Sequence, residues 1–260
     1  MNIISNVQKL LLSNNNFIAY SKINTKTQNE LPGIIFFSGF NSNMEGTKAR
    51  NLAEYCQKKD YNFIKFDYLG HGLSSGVFSE CTIGIWLENC LSIIDNLTID
   101  KHIFIGSSMG GWLALLASML RPEKVAGIIC IAAAPDFTEN LIWDTLTTEE
   151  KNQLITDGKI KLSSDYCKDK YEISLKLIEE ARNHLVLNKH LDIKCPVYLL
   201  HGMADKDVPY TFSLELAKLI SSQDITVKLV KNAEHGMSTK EDFYLLYNTI
   251  NELLNKIIEK

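Results

Sequence analysis

The sequence has no excess of basic residues. Its 27 lysines and arginines are outnumbered by 31 aspartates and glutamates, which gives a formal net charge of -4. Without a basic stripe to neutralise phosphates, nucleic acid is not expected as a partner. The longest apolar run, residues 125–135, is well short of the ~20 residues that cross a bilayer, so no transmembrane segment is expected. The first residues show neither an apolar signal core nor the arginines of a transit segment, which predicts a cytoplasmic location.

Metal and cofactor motifs are also missing from the sequence. There are six cysteines but no C-x-x-C pair, and we find no zinc-ligand spacing, Walker loop or dinucleotide fingerprint. Several cysteines lie inside apolar segments, where a thiol behaves as a small hydrophobe, so we expect reduced thiols in a reducing compartment. The sequence therefore implies neither a metal nor a cofactor.

Short β-branched and aromatic runs alternate with longer stretches of helical periodicity, and there are no internal repeats. Most of these runs are continuously apolar, which is typical of parallel strands covered on both faces. The pattern predicts one α/β domain over residues 1–260 with a mostly parallel, doubly wound sheet. The predicted strands span residues 7–12, 17–23, 33–38, 62–67, 102–106, 125–131, 197–201 and 226–230, and the predicted helices span 47–59, 82–97, 110–120, 211–220 and 241–258.

Residues 136–193, after the sixth predicted strand, break this alternation. They show no strand pattern, only amphipathic helical pieces around 148–156 and 171–187. About sixty residues are too many for a simple connection. An insertion at this place would lie above the carboxyl ends of the strands, so the sequence predicts a small helical cap over whatever binds there.

The strongest chemical signal is G-S-S-M-G at residues 106–110, between a predicted strand and a predicted helix. This is the context of a nucleophile elbow, where the residues two before and two after the nucleophile must both be small. Centred on Ser108, the flanking residues are Gly106 and Gly110; centred on Ser107, they would be an isoleucine and a methionine. The spacing therefore predicts Ser108 as the nucleophile of an α/β-hydrolase fold.

A serine nucleophile needs a base within hydrogen-bond reach and a third group that orients the base. In this fold the acid follows the next-to-last strand and the histidine follows the last one. His235 alone of the six histidines follows the last predicted strand, which makes it the predicted base. Asp205 and Asp207 both follow the preceding strand; Asp205 is favoured as the acid because Asp207 stands before a Val-Pro pair, where it would cap the next helix.

An oxyanion needs two backbone donors, and losing one typically costs about a hundred- to a thousandfold in rate. The N–H of Met109, directly after the nucleophile, is one candidate, and the N–H of Phe40 in the loop after an earlier strand is the other. Asp67 ends a strand at the same rim, but its position in the chain excludes it as the triad acid. We expect Asp67 to brace neighbouring loops through backbone N–H groups.

Several short runs outside the elbow carry a more specific signal than the elbow itself. They are N-M-E-G-T-K-A at 43–49, F-D-Y at 66–68, T-I-G-I-W at 82–86, G-S-S-M-G-G-W at 106–112, R-P-E-K-V at 121–125 and H-G-M at 201–203. Through them the chain resembles the acyl-glucuronide esterase and palmitoyl-protein thioesterase group of the α/β-hydrolase-domain family. The resemblance implies a triad of Ser108, Asp205 and His235 and acyl-ester or S-acyl substrates. Tyr210 departs from the family's usual tryptophan, and the cap matches least.

Together these residues predict a serine hydrolase that cleaves carboxylic esters or thioesters through an acyl-enzyme. Its expected partner is a small-molecule acyl ester or acyl thioester, with an S-acylated protein as a further candidate. One alternative is an aminopeptidase, in which a cap carboxylate, Glu139, Glu172 or Glu179, would hold the substrate amine. Another is a non-catalytic ligand-binding member of the fold.

The cap offers candidate substrate-binding side chains. Large apolar residues there would either line an acyl tunnel or form the cap's own core. The candidates are Phe137, Leu141, Trp143 and Tyr166.

Overall fold

Runs of isoleucine, phenylalanine and valine form the central strands of one sheet in the computed structural model, which describes residues 7–13, 15–26, 31–164 and 167–259. In chain order its strands are β1 (Gln8–Leu11), β2 (Phe17–Ile23), β3 (Gly33–Phe37), β4 (Phe63–Phe66), β5 (His102–Ser107), β6 (Val125–Ile131), β7 (Lys159–Ser164), β8 (Cys167–Ser174), β9 (Val197–Gly202) and β10 (Ile225–Val230). Eight of them form one sheet in the order β1-β2-β4-β3-β5-β6-β9-β10. From β4 to β10 all neighbours are parallel, whereas β1 and β2 pair antiparallel at one edge. The predicted mostly parallel α/β sheet is confirmed.

Helices cover both faces of this sheet. They are α1 (Thr47–Lys59), α2 (Ile83–Leu97), α3 (Met109–Leu120), α4 (Thr148–Asp157), α5 (Leu175–Ala181), α6 (Thr211–Leu219) and α7 (Lys240–Ile258). Successive residues of a strand point to opposite faces, so Ile35 and Phe37 pack into a core with α2 and α3, while Ile34 and Phe36 pack with α1 and α7. All five residues of β3 are buried for this reason.

The parallel arrangement brings the carboxyl ends of β3, β5, β9 and β10 to one rim of the sheet. The loop that follows each strand therefore lies at this rim. These loops carry the residues for which the sequence predicts chemistry. The architecture alone is enough to bring together side chains that are more than a hundred positions apart in the chain, as the hydrogen bond between Ser108 and His235 shows.

The cap after β6 is only partly helical. It contains α4 and α5, as predicted, but also the antiparallel hairpin of β7 and β8, so the prediction that this segment has no strands is wrong. In β7 the alternation K-I-K-L is the pattern of a half-buried strand, and buried Ile160 pairs in register with buried Ile173. The run is short, and the lysines and serines around it gave it the composition of a connecting loop. Consequently α5 begins at Leu175 and not at residue 171.

Asp136 fastens the end of the cap to the sheet. Its backbone is left-handed, with φ of 55°, and its buried carboxylate accepts hydrogen bonds from the N–H of Val186 (2.8 and 3.0 Å) and of Leu187 (2.8 Å). Burial raises the pKa of Asp136, and these backbone hydrogen bonds oppose that rise. The indole N–H of Trp112 also donates to the carbonyl of His184 at 3.1 Å. The cap is thus held on the sheet by directed polar contacts as well as by apolar packing.

The structure describes the thiols of five of the six cysteines, and all five are free. Cys56, Cys81, Cys90 and Cys130 are buried and Cys195 is partly buried, all as free thiols. Burial raises the pKa of Cys130 to about 12 and that of Cys195 to about 11. Thiols with such values are poor nucleophiles at neutral pH. Within the described ranges, no helix has both the length and the apolarity to span a membrane.

Candidate active site

Ser108 lies at a sharp turn between the last residue of β5 and the first residue of α3. Its φ of 55° and ψ of -123° are strained for a residue with a side chain. A Cβ atom at Gly106 would overlap the carbonyl of Gly110, and one at Gly110 would overlap the carbonyl of Phe37. The turn is therefore sterically possible only because both flanking residues are glycines. The turn places the Ser108 hydroxyl at the rim of the sheet.

A continuous line of hydrogen bonds joins three side chains from three strand ends. The Oγ of Ser108 lies 3.0 Å from Nε2 of His235, which follows β10. Nδ1 of His235 lies 2.8 Å from Oδ2 of Asp205, which follows β9. The Asp205 side chain is fully buried and that of His235 is 14% exposed. The structure thus brings together the three residues that the sequence proposed, in their expected order.

Asp205 has hydrogen-bond donors at both carboxylate oxygens. Oδ1 accepts from the N–H groups of Asp207 (2.9 Å) and Val208 (2.8 Å). Oδ2 faces His235 and, at 3.2 Å, Nε2 of His201. Burial alone would raise the pKa of Asp205, but the hydrogen bonds from the two histidines outweigh it and hold that pKa well below the usual range. Asp205 is therefore a carboxylate at neutral pH. Asp207 lines the cavity described below.

His201 is the site residue that the sequence reasoning missed. It is fully buried at the end of β9. Its Nε2 faces two acceptors, Oδ2 of Asp205 and the carbonyl of Val208 at 3.0 Å, so this nitrogen carries a proton. Its Nδ1 lies 2.7 Å from the hydroxyl of Ser213 on α6. The spacing H-G-x-x-D, with the histidine four residues before the acid, was the signal available in the sequence.

The two predicted oxyanion donors flank Ser108. The N–H of Met109 is the first of α3 and has no acceptor within the helix. The backbone before Phe40 runs close to the nucleophile, because a Cβ atom at Gly39 would stand 3.3 Å from Cβ of Ser108. The Phe40 ring packs edge-on against Phe137 at 5.4 Å between centroids. It also lies 5.0 Å from the ring of Phe78 and 5.8 Å from that of Trp86.

Asp67 braces the loops around this rim, as expected. Oδ1 accepts the N–H of Met44 at 2.6 Å and Oδ2 accepts the N–H of Leu73 at 2.8 Å. The hydroxyl of Tyr68 donates to the carbonyl of Ser38 at 3.1 Å, directly before the Gly39-Phe40 backbone. Asp67 therefore stabilises the loop that presents Phe40 and makes no contact with His235.

A cavity of about 680 Å³ opens beside Ser108 and His235. Its lining residues fall into two sets by side-chain type, apolar and polar. The apolar part is formed by Phe40, Ala134, Phe137, Leu141, Ile142 and Val208, and the polar part includes Asn41, Ser42, Thr47, Lys48, Lys206 and Asp207. A larger depression, of about 980 Å³, lies at the opposite ends of the strands around Gly33 and His102. It contains none of the site residues.

The cap candidates separate into two groups. Phe137 and Leu141 line the cavity. Trp143 does not; its ring lies under two cations, with Cζ of Arg182 at 4.9 Å and Nζ of Lys151 at 5.3 Å from its centroid. The remaining candidate, Tyr166, lies outside the described residues.

The cap carboxylates of the aminopeptidase alternative are engaged elsewhere. Glu139 pairs with Arg182 at 2.8 Å, and Glu172 pairs with Lys159 at 3.0 Å. Glu179 is exposed. None of the three lines the cavity beside Ser108.

Two protein-family models match the chain. The model of the α/β-hydrolase fold matches residues 32–147, and that of the prolyl oligopeptidase family matches residues 93–260. Mouse palmitoyl-protein thioesterase ABHD10 is 42% identical over 92% of this chain and 80% of its own length. The human protein is 39% identical over 92% of this chain and 77% of its own length.

Solved structures agree with these sequence relatives. Mouse α/β-hydrolase domain-containing protein 10 matches with a TM-score of 0.89 at 40% identity, over 96% of this chain and 99% of that chain. A hydrolase from Agrobacterium vitis S4 matches with a TM-score of 0.90 at 33% identity, over 95% of this chain and 99% of that chain.

The relatives also correct one expectation. The ABHD10 proteins are named as mitochondrial, so the prediction of a cytoplasmic location is wrong. That prediction relied on a missing leader signal. A leader is a separate segment that acts before the domain folds, so the folded residues carry no trace of the compartment.

Proposed function

The chain belongs to the α/β-hydrolase family and is an ester or thioester hydrolase, and on this premise we propose that Ser108, His235 and Asp205 form its catalytic triad. The observation that carries the proposal is the unbroken line of hydrogen bonds, 3.0 Å from Ser108 to His235 and 2.8 Å from His235 to Asp205. These distances are those of a nucleophile, its base and the group that orients the base.

Acylation follows from this geometry. Nε2 of His235 takes the proton of the Ser108 hydroxyl while Oγ attacks the acyl carbon, and the Asp205 carboxylate stabilises the imidazolium that forms. The N–H groups of Met109 and Phe40 bind the negative oxygen of the tetrahedral intermediate. When the intermediate collapses, His235 gives its proton to the departing alcohol or thiol. The acyl group is then bonded to Oγ of Ser108.

Deacylation uses the same groups with water as the nucleophile. His235 takes a proton from water, the hydroxyl oxygen attacks the acyl carbon, and the second intermediate forms at the same N–H donors. Collapse of this intermediate breaks the bond to Oγ and releases the carboxylic acid. His235 returns its proton to Ser108, so the enzyme ends the cycle unchanged.

The proposed substrates are acyl thioesters and acyl esters whose acyl group is apolar. Phe40, Phe137 and Leu141 supply an apolar surface beside Ser108, which suits a hydrocarbon chain. The relatives named palmitoyl-protein thioesterase support an S-acyl substrate, including an S-acylated protein. We place the acyl chain against the apolar part of the cavity wall and the leaving group against the polar part.

A peptidase is the second candidate, because residues 93–260 match the prolyl oligopeptidase family. It is less well supported by the cavity. An aminopeptidase needs a carboxylate to hold the substrate amine, and the cap carboxylates Glu139 and Glu172 are already neutralised by Arg182 and Lys159. The cavity wall carries one carboxylate, Asp207, but two cations, Lys48 and Lys206, which would repel an ammonium group.

Covalent labelling and turnover together test the proposal. Wild-type protein should react with a fluorophosphonate probe and hydrolyse octanoyl thioesters and p-nitrophenyl octanoate, and Ser108→Ala should abolish both activities. Ser107→Ala is the matched control, because this buried neighbour lies outside the triad. Turnover of aminoacyl arylamides without turnover of acyl esters would favour the peptidase. Unchanged ester hydrolysis in Ser108→Ala would refute the triad.

A further inference from the structure

The start of α1 forms one section of the cavity wall. Gly46, Thr47, Lys48 and Ala49 all line the cavity that contains Ser108. Gly46 precedes the helix and supplies no side-chain cap, and the first turn has no acidic residue. Negative charge is favoured at the N-terminal end of a helix, and here α1 provides none of its own. Electrostatically, this part of the wall is suited to an anion.

Lys48 places a full positive charge at this position. It has no ion-pair or hydrogen-bond partner among the described residues of the chain. Its main electrostatic partner is Asp242, whose carboxylate is already bound to the N–H (3.0 Å) and hydroxyl (2.8 Å) of Thr239, where it caps α7. Burial lowers the pKa of Lys48 to about 8, and Asp242 opposes this shift only in part. A largely buried ammonium with no ion partner is unfavourable for the fold unless a ligand supplies the counter-charge.

The other charged groups of the cavity do not neutralise Lys48. Lys206 is a second cation in the wall, and Asp207 is a single acid beside it. His235 also borders the cavity, but its Nε2 is directed at Ser108. The wall beside the triad therefore carries two lysines and one aspartate, together with the positive end of α1.

We propose that Lys48 is a specificity-determining residue that binds an anionic group, a carboxylate or a phosphate, on the leaving group of the substrate. The inference rests on the proposed function, in which the acyl chain packs against the apolar side chains of the wall and the leaving group is left to the polar ones, Lys48 among them. An alcohol or thiol that carries an anion is then held by Lys48 while Ser108 attacks the acyl carbon. The neutral analogue lacks this contact.

A matched substrate series tests the assignment. Octanoyl thioesters of mercaptopropionate, mercaptopropionamide and mercaptopropyl phosphate share one acyl chain and differ in the charge of the leaving group. A charge-assisted hydrogen bond of ordinary strength corresponds to about 10- to 100-fold in kcat/KM. Wild-type protein should prefer at least one anionic thioester over the neutral amide by a factor in this range. The better of the two anionic substrates distinguishes a carboxylate from a phosphate.

Variants assign the preference to Lys48. Lys48→Met keeps the length of the side chain without its charge and should bring the ratio of kcat/KM values close to one, with little change for the neutral amide. Lys48→Arg keeps the charge and should retain most of the preference. Lys58→Met, an exposed lysine at the other end of α1, is the control and should leave the ratio unchanged.

Two outcomes overturn the inference: no anion preference in the wild type, and a preference that survives Lys48→Met. Loss of the surviving preference in Lys206→Met would then assign it to Lys206. Both outcomes leave the triad proposal intact provided that Ser108→Ala abolishes hydrolysis of all three thioesters. Hydrolysis by Ser108→Ala would instead refute the triad, whatever the lysine variants do. If Lys48→Met fails to fold, Lys48→Arg and the salt dependence of the wild-type ratio decide, because a charge contact weakens with ionic strength.

Discussion

His201 and His235 both reach one atom, Oδ2 of Asp205, at 3.2 and 2.8 Å. The first histidine is fully buried, whereas the second borders the cavity. His201 does not line the cavity, so it acts on the reaction through the residues it contacts, of which Asp205 touches His235 directly. Its hydrogen bonds to Val208 and Ser213 fix the ring, which in turn limits the rotation of the carboxylate that orients His235.

His201→Leu should therefore lower kcat for an octanoyl thioester by about tenfold or more while leaving KM nearly unchanged, since one hydrogen bond to a charged group is worth ~1.5 to 3 kcal/mol. His201→Gln retains an N–H donor and should recover part of kcat. Steady-state kinetics with both variants measures the difference, and thermal unfolding shows how much stability each has lost. If His201→Leu is less stable than wild type but keeps its full kcat, His201 only supports the fold.

The depressed pKa of Asp205 predicts how stability depends on pH. An aspartate has a pKa near 3.9 in an unfolded chain, and the folded value is lower because His201, His235 and backbone N–H groups outweigh the cost of burial. The unfolded state therefore binds the proton first, and the contribution of Asp205 is present above about pH 4 and is lost as the pH falls through the folded pKa. Urea unfolding of wild type and Asp205→Asn between pH 7 and pH 3 should give free-energy curves that converge below about pH 4. If the free energies of unfolding of the two proteins differ by the same amount from pH 7 to pH 3, Asp205 is not the low-pKa carboxylate assigned here.

Lys48 should limit the stability of the folded protein. Its folded pKa of about 8 lies below the ordinary 10.5, so between these values the unfolded state binds more protons and wild-type stability rises with pH. At pH 7, Lys48→Met should be more stable than wild type by about 1 to 2 kcal/mol, allowing for partial solvent exposure of the side chain. That advantage should shrink as the pH approaches 10. Urea unfolding at pH 7 and pH 10 measures this difference in the free energy of unfolding, with Lys58→Met as the control. If Lys48→Met is less stable than wild type at pH 7, the ammonium group of Lys48 is well solvated or paired.

The sequence predicts the sheet, and it predicts which three side chains meet at Ser108, because both depend on local chemistry and chain order. The strained turn at Ser108 requires Gly106 and Gly110, and the order of the strands then brings His235 to it. Contacts that depend on three-dimensional packing cannot be predicted from the sequence pattern alone. The short alternation in β7 is indistinguishable from a polar loop until Ile173 pairs with Ile160.

The same limit applies to individual side chains at the site. Nothing in the sequence marks Lys48 as part of the cavity wall, or marks His201 as the second donor to Asp205. Both facts depend on how helices pack over the rim. Trp143 was assigned too much from the sequence. A large apolar side chain in the cap suggested an acyl tunnel, but its ring lies against Lys151 and Arg182.

The cavity wall should determine the length of the acyl chain through Leu141, which lines it, and not through Trp143, which does not. Each buried CH₂ is worth ~0.8 kcal/mol, or about fourfold in kcat/KM, so wild-type activity should rise along a series of acyl thioesters until the apolar surface is filled. Leu141→Trp adds volume there and should move the optimum to shorter chains. Trp143→Ala removes the surface on which the two cations rest and should reduce stability by a few tenths to about 2 kcal/mol, with the chain-length optimum unchanged. If Trp143→Ala shifts the optimum and Leu141→Trp does not, the acyl chain occupies a different part of the cap from the one that this cavity defines.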